Sequence, residues 1–344
     1  MRVMYKTLKI FLVIVIVFVI LINIPIGSLG YRVSEEDYSH WMSETLDNDD
    51  LILSVAMLGA HDAFSNEIDM NSVVDPYESN SIFRGIPGSL LKGYLVKQAK
   101  TQSGDVSELL KSGVRYLDIR LSLIDDNWYT KHNYISGEFE LIVTDIIAFL
   151  ESNSGEFLLL DFQHINGVAY DSIEDYNDFK EMLQEFGILE YAFIVNDLTT
   201  VTYGDVTVNG SQSKVIIIAP FESSEGEVLE YSANIRSSWA DSDDFNYVMD
   251  FLTTESEIAS EHMSQFRVMQ AVTTMQLSPS GIINSLTTWS LINRAGQFNE
   301  HLLNSGDLEE LMSILPIVMI DNAGSNKGQI TDDLMEIIIG FNEE

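Results

Sequence analysis

The chain has 344 residues, no cysteine and only six prolines, a length that suits one large domain or two ordinary ones. Lysine and arginine number 18 against 53 acidic residues, for a net charge of −35, which repels nucleic acid and favours solubility. Without cysteine, a disulfide framework, a thiolate metal site and a thiol nucleophile are all excluded.

The amino terminus places Arg2, Lys6 and Lys9 before an apolar run from Ile10 to Ile22, and then Asn23, Pro25, Gly27 and Ser28-Leu29-Gly30. A basic start, an apolar core and small residues describe an export signal. The core falls short of the roughly 20 residues that span a bilayer, which favours cleavage near Gly30; extension through Ile26 as an uncleaved anchor is the alternative. Residues 1–30 are thus expected to be a signal peptide or N-terminal membrane anchor. Residues 31–344 are expected to form one domain, because no linker or composition break divides them. The expected location is secreted or extracytoplasmic and membrane-anchored.

Beyond Tyr31, short β-branched apolar runs alternate with longer amphipathic ones. Strands are expected at Leu51–Leu58, Arg115–Ile124, Phe157–Phe162, Ala192–Val195, Val215–Ala219, Phe266–Val272 and Leu315–Ile320, with Trp128–His132 as a further one. Helices are expected at Glu138–Ser152, Ser172–Phe186, Asp243–Leu252 and Ser290–Asn304. This alternation predicts an α/β fold, a closed (β/α)8 barrel, with chemistry at the C-terminal strand ends. Charge is uneven along it. From Glu222 to Glu261 there are eleven acids and one base, Arg236, whereas Arg84 to Arg115 holds six bases and two acids. The sequon Asn209-Gly210-Ser211 is a glycosylation site only in a eukaryotic host.

The strand ends carry polar groups in a suggestive order. The first run closes on Gly59-Ala60-His61-Asp62. In the second, Tyr116, Asp118 and Arg120 share one face and Leu117, Ile119 and Leu121 the other. The apolar set faces the helices, so the charged set points inward, where it requires partners or a charged ligand. His132 ends the short strand, Asp161-Phe162-Gln163-His164 ends the third major run, and Asp321 follows the last. Strand parity allows either Gln163 or His164 to enter the barrel, not both.

These pieces, taken with Thr101-Gln102 and Leu109 to Arg120, resemble the X-domain family of phosphatidylinositol-specific phospholipases C, in family order across most of residues 50–322. The resemblance implies a distorted (β/α) barrel and a phosphodiesterase. In that reading His61 is the general base toward the inositol 2-hydroxyl and Asp321 orients it. His132 is the general acid toward the departing diacylglycerol oxygen, Asp62 assists, and Arg120 neutralises the phosphoryl oxygens. The chemistry calls for these types: a hydroxyl nucleophile must lose a proton, an alkoxide must gain one, and the equatorial oxygens need a cation.

Calcium-dependent relatives carry an asparagine after the first histidine and three acidic ligands. Here Asp62 stands at the asparagine's place, Tyr116 at the first strand ligand and Gln163 near another, and only Asp118 remains acidic, so catalysis without a metal or other cofactor is expected, with Ca2+ as the alternative. The metal-free pattern has a lysine where Gln163 falls and an arginine near Pro220, and neither is present. Gln163, Arg236 and Trp239 are the candidates for head-group contact. The segment from Ile82 to Lys100 is read either as a lipid-touching element or as a packed insertion.

The expected activity is cleavage of phosphatidylinositol or glycosyl-phosphatidylinositol lipids at a membrane interface, with no nucleic-acid and no protein partner. Two alternatives stand beside it: a metal-dependent glycerophosphodiester or sphingolipid phosphodiesterase, and a catalytically degenerate lipid- or sugar-phosphate-binding protein.

Overall fold

The computed structural model describes residues 36–222, 226–276, 278–324 and 330–343, together with scattered positions between Lys9 and Asn23. The expected signal or anchor therefore lies largely outside the described residues. No described helix is long and apolar enough to cross a membrane.

Ten strands form one sheet: β1 (Met57–Ala60), β2 (Val114–Ile124), β3 (Asn127–His132), β4 (Tyr134–Glu138), β5 (Phe157–Asn166), β6 (Lys214–Ala219), β7 (Val228–Glu230), β8 (Ile235–Ser238), β9 (Phe266–Ala271) and β10 (Ile317–Ile320). Eight of them run in the order β7-β6-β5-β2-β1-β10-β9-β8, every pair parallel. The order is cyclic, since β10 pairs with β1, and it is interrupted at one seam: among the described residues β7 and β8 do not pair. This is the expected (β/α) barrel, distorted by that opening. β3 and β4 are an antiparallel extension hung on the long C-terminal half of β2.

The helices are α1 (Trp41–Thr45), α2 (Gly85–Ala99), α3 (Val106–Lys111), α4 (Phe139–Ser152), α5 (Ile173–Glu185), α6 (Tyr203–Thr207), α7 (Tyr231–Asn234), α8 (Phe245–Ala259), α9 (Pro279–Thr288), α10 (Leu291–Leu303), α11 (Leu308–Met312) and α12 (Ile330–Asn342). In α4, Phe139, Val143, Ile146 and Leu150 are buried, the spacing of one helical face. Side chains fix several starts: Asp105 forms a capping box with Glu108, and Ser172, Asp244 and Ser290 each accept from an amide of the first turn.

Two expected strands change. Ala192–Val195 makes only an isolated bridge, Ala192 to Val215, after a turn of 3-10 helix at Ile188–Tyr191. The barrel position beside β5 belongs to β6, and the segment has no free ladder to join. The first strand is shorter than Leu51–Leu58, because Ser54 N closes a turn on Leu51 O and Ile52 N bonds Val201 O.

Two buried arginines bolt the N-terminal face of the barrel. Arg115 is fully enclosed. It pairs with Glu156 at 2.7 Å and donates to the carbonyls of Leu110, Val114, Tyr38 and Ser39, joining the segment before α1 to β2 and β5. Arg267 donates only to carbonyls, those of Ile314, Met263, Gln265 and Leu53. Replacement of Arg115 leaves Glu156 buried without its counter-charge. Arg115→Met is therefore expected to lower unfolding free energy by roughly 3–5 kcal/mol in urea denaturation, and a loss below about 1 kcal/mol would contradict this account.

Candidate active site

Inside the barrel, β1 passes so close to β2 that a Cβ on Gly59 would lie 2.8 Å from the Tyr116 ring and 3.2 Å from the Met319 backbone. Only glycine permits that approach. Just beyond it His61 N bonds Ile320 O and Ala63 N bonds Asp118 O, which pins the loop to both neighbouring strands. Asp62 adopts φ +43°, a left-handed conformation that Asp tolerates. Successive strand residues point to opposite faces, and this turn is what lets both His61 and Asp62 face the same pocket.

His61 Nδ1 donates to Asp321 Oδ1 at 2.7 Å. Its Nε2 is 3.4 Å from Asp62 Oδ2 and 3.8 Å from Asp118 Oδ2, and Arg120 NH2 donates to it at 3.1 Å. Arg120 Nε stands 2.5 Å from Asp62 Oδ1 and NH2 3.2 Å from Asp118 Oδ2. His132 Nδ1 donates to Ala99 O at 2.8 Å and lies 3.3 Å from Asp62 Oδ2. The tautomers follow from these partners: a carbonyl and a carboxylate only accept, so each imidazole, when neutral, carries its proton on Nδ1. The rings face one another edge to plane, centroids 6.2 Å apart. The five residues His61, Asp62, Arg120, His132 and Asp321 thus converge, well within the roughly 10 Å scale that one phosphodiester spans between two proton-transfer groups.

Burial pulls the His61 pKa down, but Asp62 and Asp321 outweigh it and raise the imidazole to about 9. Burial also pulls His132 below its ordinary value; Asp62 opposes, while Arg120 and His61 add to the fall. The Asp62 carboxyl lies far below the usual carboxylate range, because Arg120, His132 and His61 together overcome the cost of burying it.

The other candidates divide. Gln163 Nε2 donates to Tyr116 OH and Asp161 Oδ2, inside the barrel, in a cluster where burial raises the Asp161 carboxyl to about 8. A bulge between Asp118 and Arg120 on the β2–β5 ladder places Arg120 opposite His164. The bulge relaxes the parity argument: Gln163 is inside, and His164 still comes under the influence of Arg120, Asp118 and Lys131. Across β2 the antiparallel register of Leu121 with Thr130 sets Lys131 opposite Arg120, which helps burial depress that ammonium. Arg236 makes a two-pronged pair with Glu255 of α8 at 2.6 and 3.1 Å, so its guanidinium is spent on the helix layer. Trp239, 51% exposed, follows β8 on the catalytic rim and donates to Thr274.

Sequence reasoning gave no role to Gln102. Its Nε2 donates to His61 O and Ile320 O, and its Oε1 accepts from Ala323 N, tying the His61 loop to the strand that carries Asp321. Asn299 adds a bond to Asp321 O. The Thr101-Gln102 pair is the only signal of this tie in the sequence, since such bonds join residues distant along the chain.

His61, Asp62 and Asp118 bring three ligand-type atoms within 4.8 Å of one another. A hard cation wants six or more oxygens. This cluster offers two carboxylates, a nitrogen and, between them, the Arg120 guanidinium, so the residues do not fit calcium.

No family model matches the chain. It is 32% identical over 143 residues to PI-PLC X domain-containing protein 3 of Danio rerio, 39% of this chain and 44% of that one. With the variant-surface-glycoprotein phospholipase C of Trypanosoma brucei brucei it is 28% identical over 231 residues, 62% and 61% of the two chains. The match thus spans less than two thirds of either relative. Its fold overlays the phosphatidylinositol-specific phospholipase C from Listeria monocytogenes with a TM-score of 0.58 at 17% identity, covering 90% of this chain and all of that one. The chain is thus similar in part of its sequence to PI-PLC X domain-containing proteins and in fold to a bacterial phosphatidylinositol-specific phospholipase C. The charge environment of His61 can be tested by titration. NMR titration is expected to give His61 a pKa of about 9, and Asp321→Asn, which removes a nearby negative charge, lowers it toward about 6.5. An unmoved His61 in the variant would refute the pairing as its cause.

Proposed function

We propose that this X domain cleaves the phosphodiester of phosphatidylinositol or glycosyl-phosphatidylinositol lipids by attack of the inositol 2-hydroxyl on phosphorus. The observation that carries the reading is the pair of imidazoles 6.2 Å apart with Arg120 between their carboxylate partners. His61 Nε2 takes the hydroxyl proton as the new O–P bond forms. The bond from phosphorus to the diacylglycerol oxygen breaks, and His132 gives that oxygen its proton. The products are diacylglycerol and a cyclic inositol phosphate. Arg120 leaves His61 Nε2 when the diester enters and neutralises the phosphoryl oxygens. No step uses a metal.

Asp321 orients His61, and Asp62 balances the charge of whichever imidazole holds the proton. The working arrangement, neutral His61 with protonated His132, is the minor form of the singly protonated pair, since the raised pKa of His61 and the lowered pKa of His132 place the shared proton mainly on His61. Lys131, flanking Arg120, is the cation near the head group in place of the missing lysine and arginine, and His164, whose pKa burial and Arg120 hold below the ordinary value, is a neutral imidazole beside it. Gln163 is the inward amide for a ring hydroxyl, and Trp239 contributes from the rim; Arg236 acts through the fold. Ile86 and Leu90 on α2, with Trp239 and Ile283, are exposed apolar groups suited to a lipid surface, while the rest of α2 packs through Leu95, Val96 and Ala99. Export, with residues 1–30 as signal or anchor to a domain over 31–344, gives the enzyme access to an outer leaflet.

An assay for water-soluble inositol phosphate from phosphatidylinositol vesicles tests the reading. His61→Ala and His132→Ala are each expected to lose roughly 100- to 10,000-fold in rate, with the wild type unaffected by EDTA. Absence of product from the wild type would leave a degenerate binding protein, and EDTA sensitivity a metal-dependent phosphodiesterase. The pH profile of kcat/KM should be a bell. Activity falls below His132's depressed pKa, under 6.5, where both rings are protonated, and above about 9, where neither is. A profile flat from pH 6 to 10, a range of about 4 units, would exclude this pair.

A further inference from the structure

A cavity of about 410 Å³ opens on the outer side of the β3–β4 hairpin, and none of the catalytic candidates lines it. Its wall on one side is the loop from Ser72 to Pro76, held to the hairpin by Asp75 N on Asn133 O and Ile135 N on Val73 O. The start of α2 forms the other wall, through Arg84, Gly85, Gly88, Ser89 and Lys92. Tyr134 completes the lining. It is 1% exposed, stacked edge-on against Phe83 at 5.7 Å, and its hydroxyl has no hydrogen-bond partner among the described residues. A buried hydroxyl without a partner costs roughly 1–3 kcal/mol, so a polar occupant is wanted there.

The surroundings favour a negative one. Arg84 NH2 donates to the carbonyls of Asp75 and Pro76, which fixes the guanidinium while none of the described residues takes up its Nε or NH1. Lys92 makes no ion pair among the described residues; Asp69 is the acid near it. The lining acid, Asp75, has its carboxylate committed to Tyr77 N, Ser122 Oγ and Asn166 Nδ2. Helix α2 has 15 residues and begins with no side-chain cap and no acidic residue in its first turn, so its positive end is uncompensated. Two cations and one saturated acid around a helix start are conspicuous in a chain of net charge −35.

We infer that this cavity is a binding site for a phosphate monoester or inorganic phosphate, held by Arg84, Lys92, the Gly85 amide at the start of α2 and the Tyr134 hydroxyl. The inference is independent of the catalytic reading. It places an anion against the hairpin that carries His132, two residues from Tyr134.

Calorimetric titration of the whole chain with inorganic phosphate tests it, using wild type, Lys92→Gln, Tyr134→Phe and, to silence the catalytic pocket, Arg120→Gln. Binding is expected in wild type and Arg120→Gln, and at least about tenfold weaker in the other two. No binding by the wild type, equal binding by Lys92→Gln, or loss of all binding in Arg120→Gln would overturn the site. Should Tyr134→Phe melt early, the Lys92 variant decides alone. Flotation with phosphatidylcholine vesicles, with and without phosphatidic acid, separates the sources. Retention that needs phosphatidic acid, is competed by phosphate and is lost in Lys92→Gln assigns the site to a lipid head group; phosphate binding without such retention assigns it to the free ion.

Discussion

The Asp62 carboxylate is the point on which the site turns. One oxygen meets Arg120 Nε and the other lies between His61 Nε2 and His132 Nδ1, while the residue's own amide donates to Asp118. A buried carboxylate is tolerated only with such company. Remove it and two imidazoles and a guanidinium crowd one pocket with mutual repulsion; retain it and each cation sees a shared counter-charge. The pKa ordering of the two histidines follows from this placement, because Asp321 adds to His61 a second negative charge in direct hydrogen-bond contact.

That placement depends in turn on how the barrel is assembled. Gly59 lets β1 run against Tyr116, the left-handed turn at Asp62 aims two consecutive side chains inward, and Gln102 locks the loop to β10. His132 arrives by a different route. It sits on a hairpin outside the eight-strand ring, and its orientation is set by Ala99 O at the end of α2. His61 is thus fixed by the barrel and His132 by a hairpin packed beside it.

Much of this architecture is legible in the order of the residues. The alternating face of Tyr116, Asp118 and Arg120 is readable from parity alone, and the polar ends of β1, β5 and β10 mark the catalytic rim. What parity does not carry is a bulge: the slip on the β2–β5 ladder changes what His164 faces. Arg236 reads as a head-group cation because its partner, Glu255, is 19 residues away on a helix whose facing side is set by packing. Ala192–Val195 has strand composition, but whether a ladder is vacant is decided by β6. Gln102 is visible only as part of a motif, and the cavity under Tyr134 has no signature, since it is made where three separate segments meet.

The seam between β7 and β8 gives the acidic stretch from Glu222 to Glu261 a meaning for the protein's behaviour in concentrated solution. An unlaced barrel has two sheet edges, each able to template pairing with another chain. Here the edge strands are only three and four residues long, and the segment that contains them carries eleven acids against one base. Two copies approaching edge to edge bring like charges together before any amide meets a carbonyl. The opening in the barrel is guarded by charge rather than by closure of the sheet.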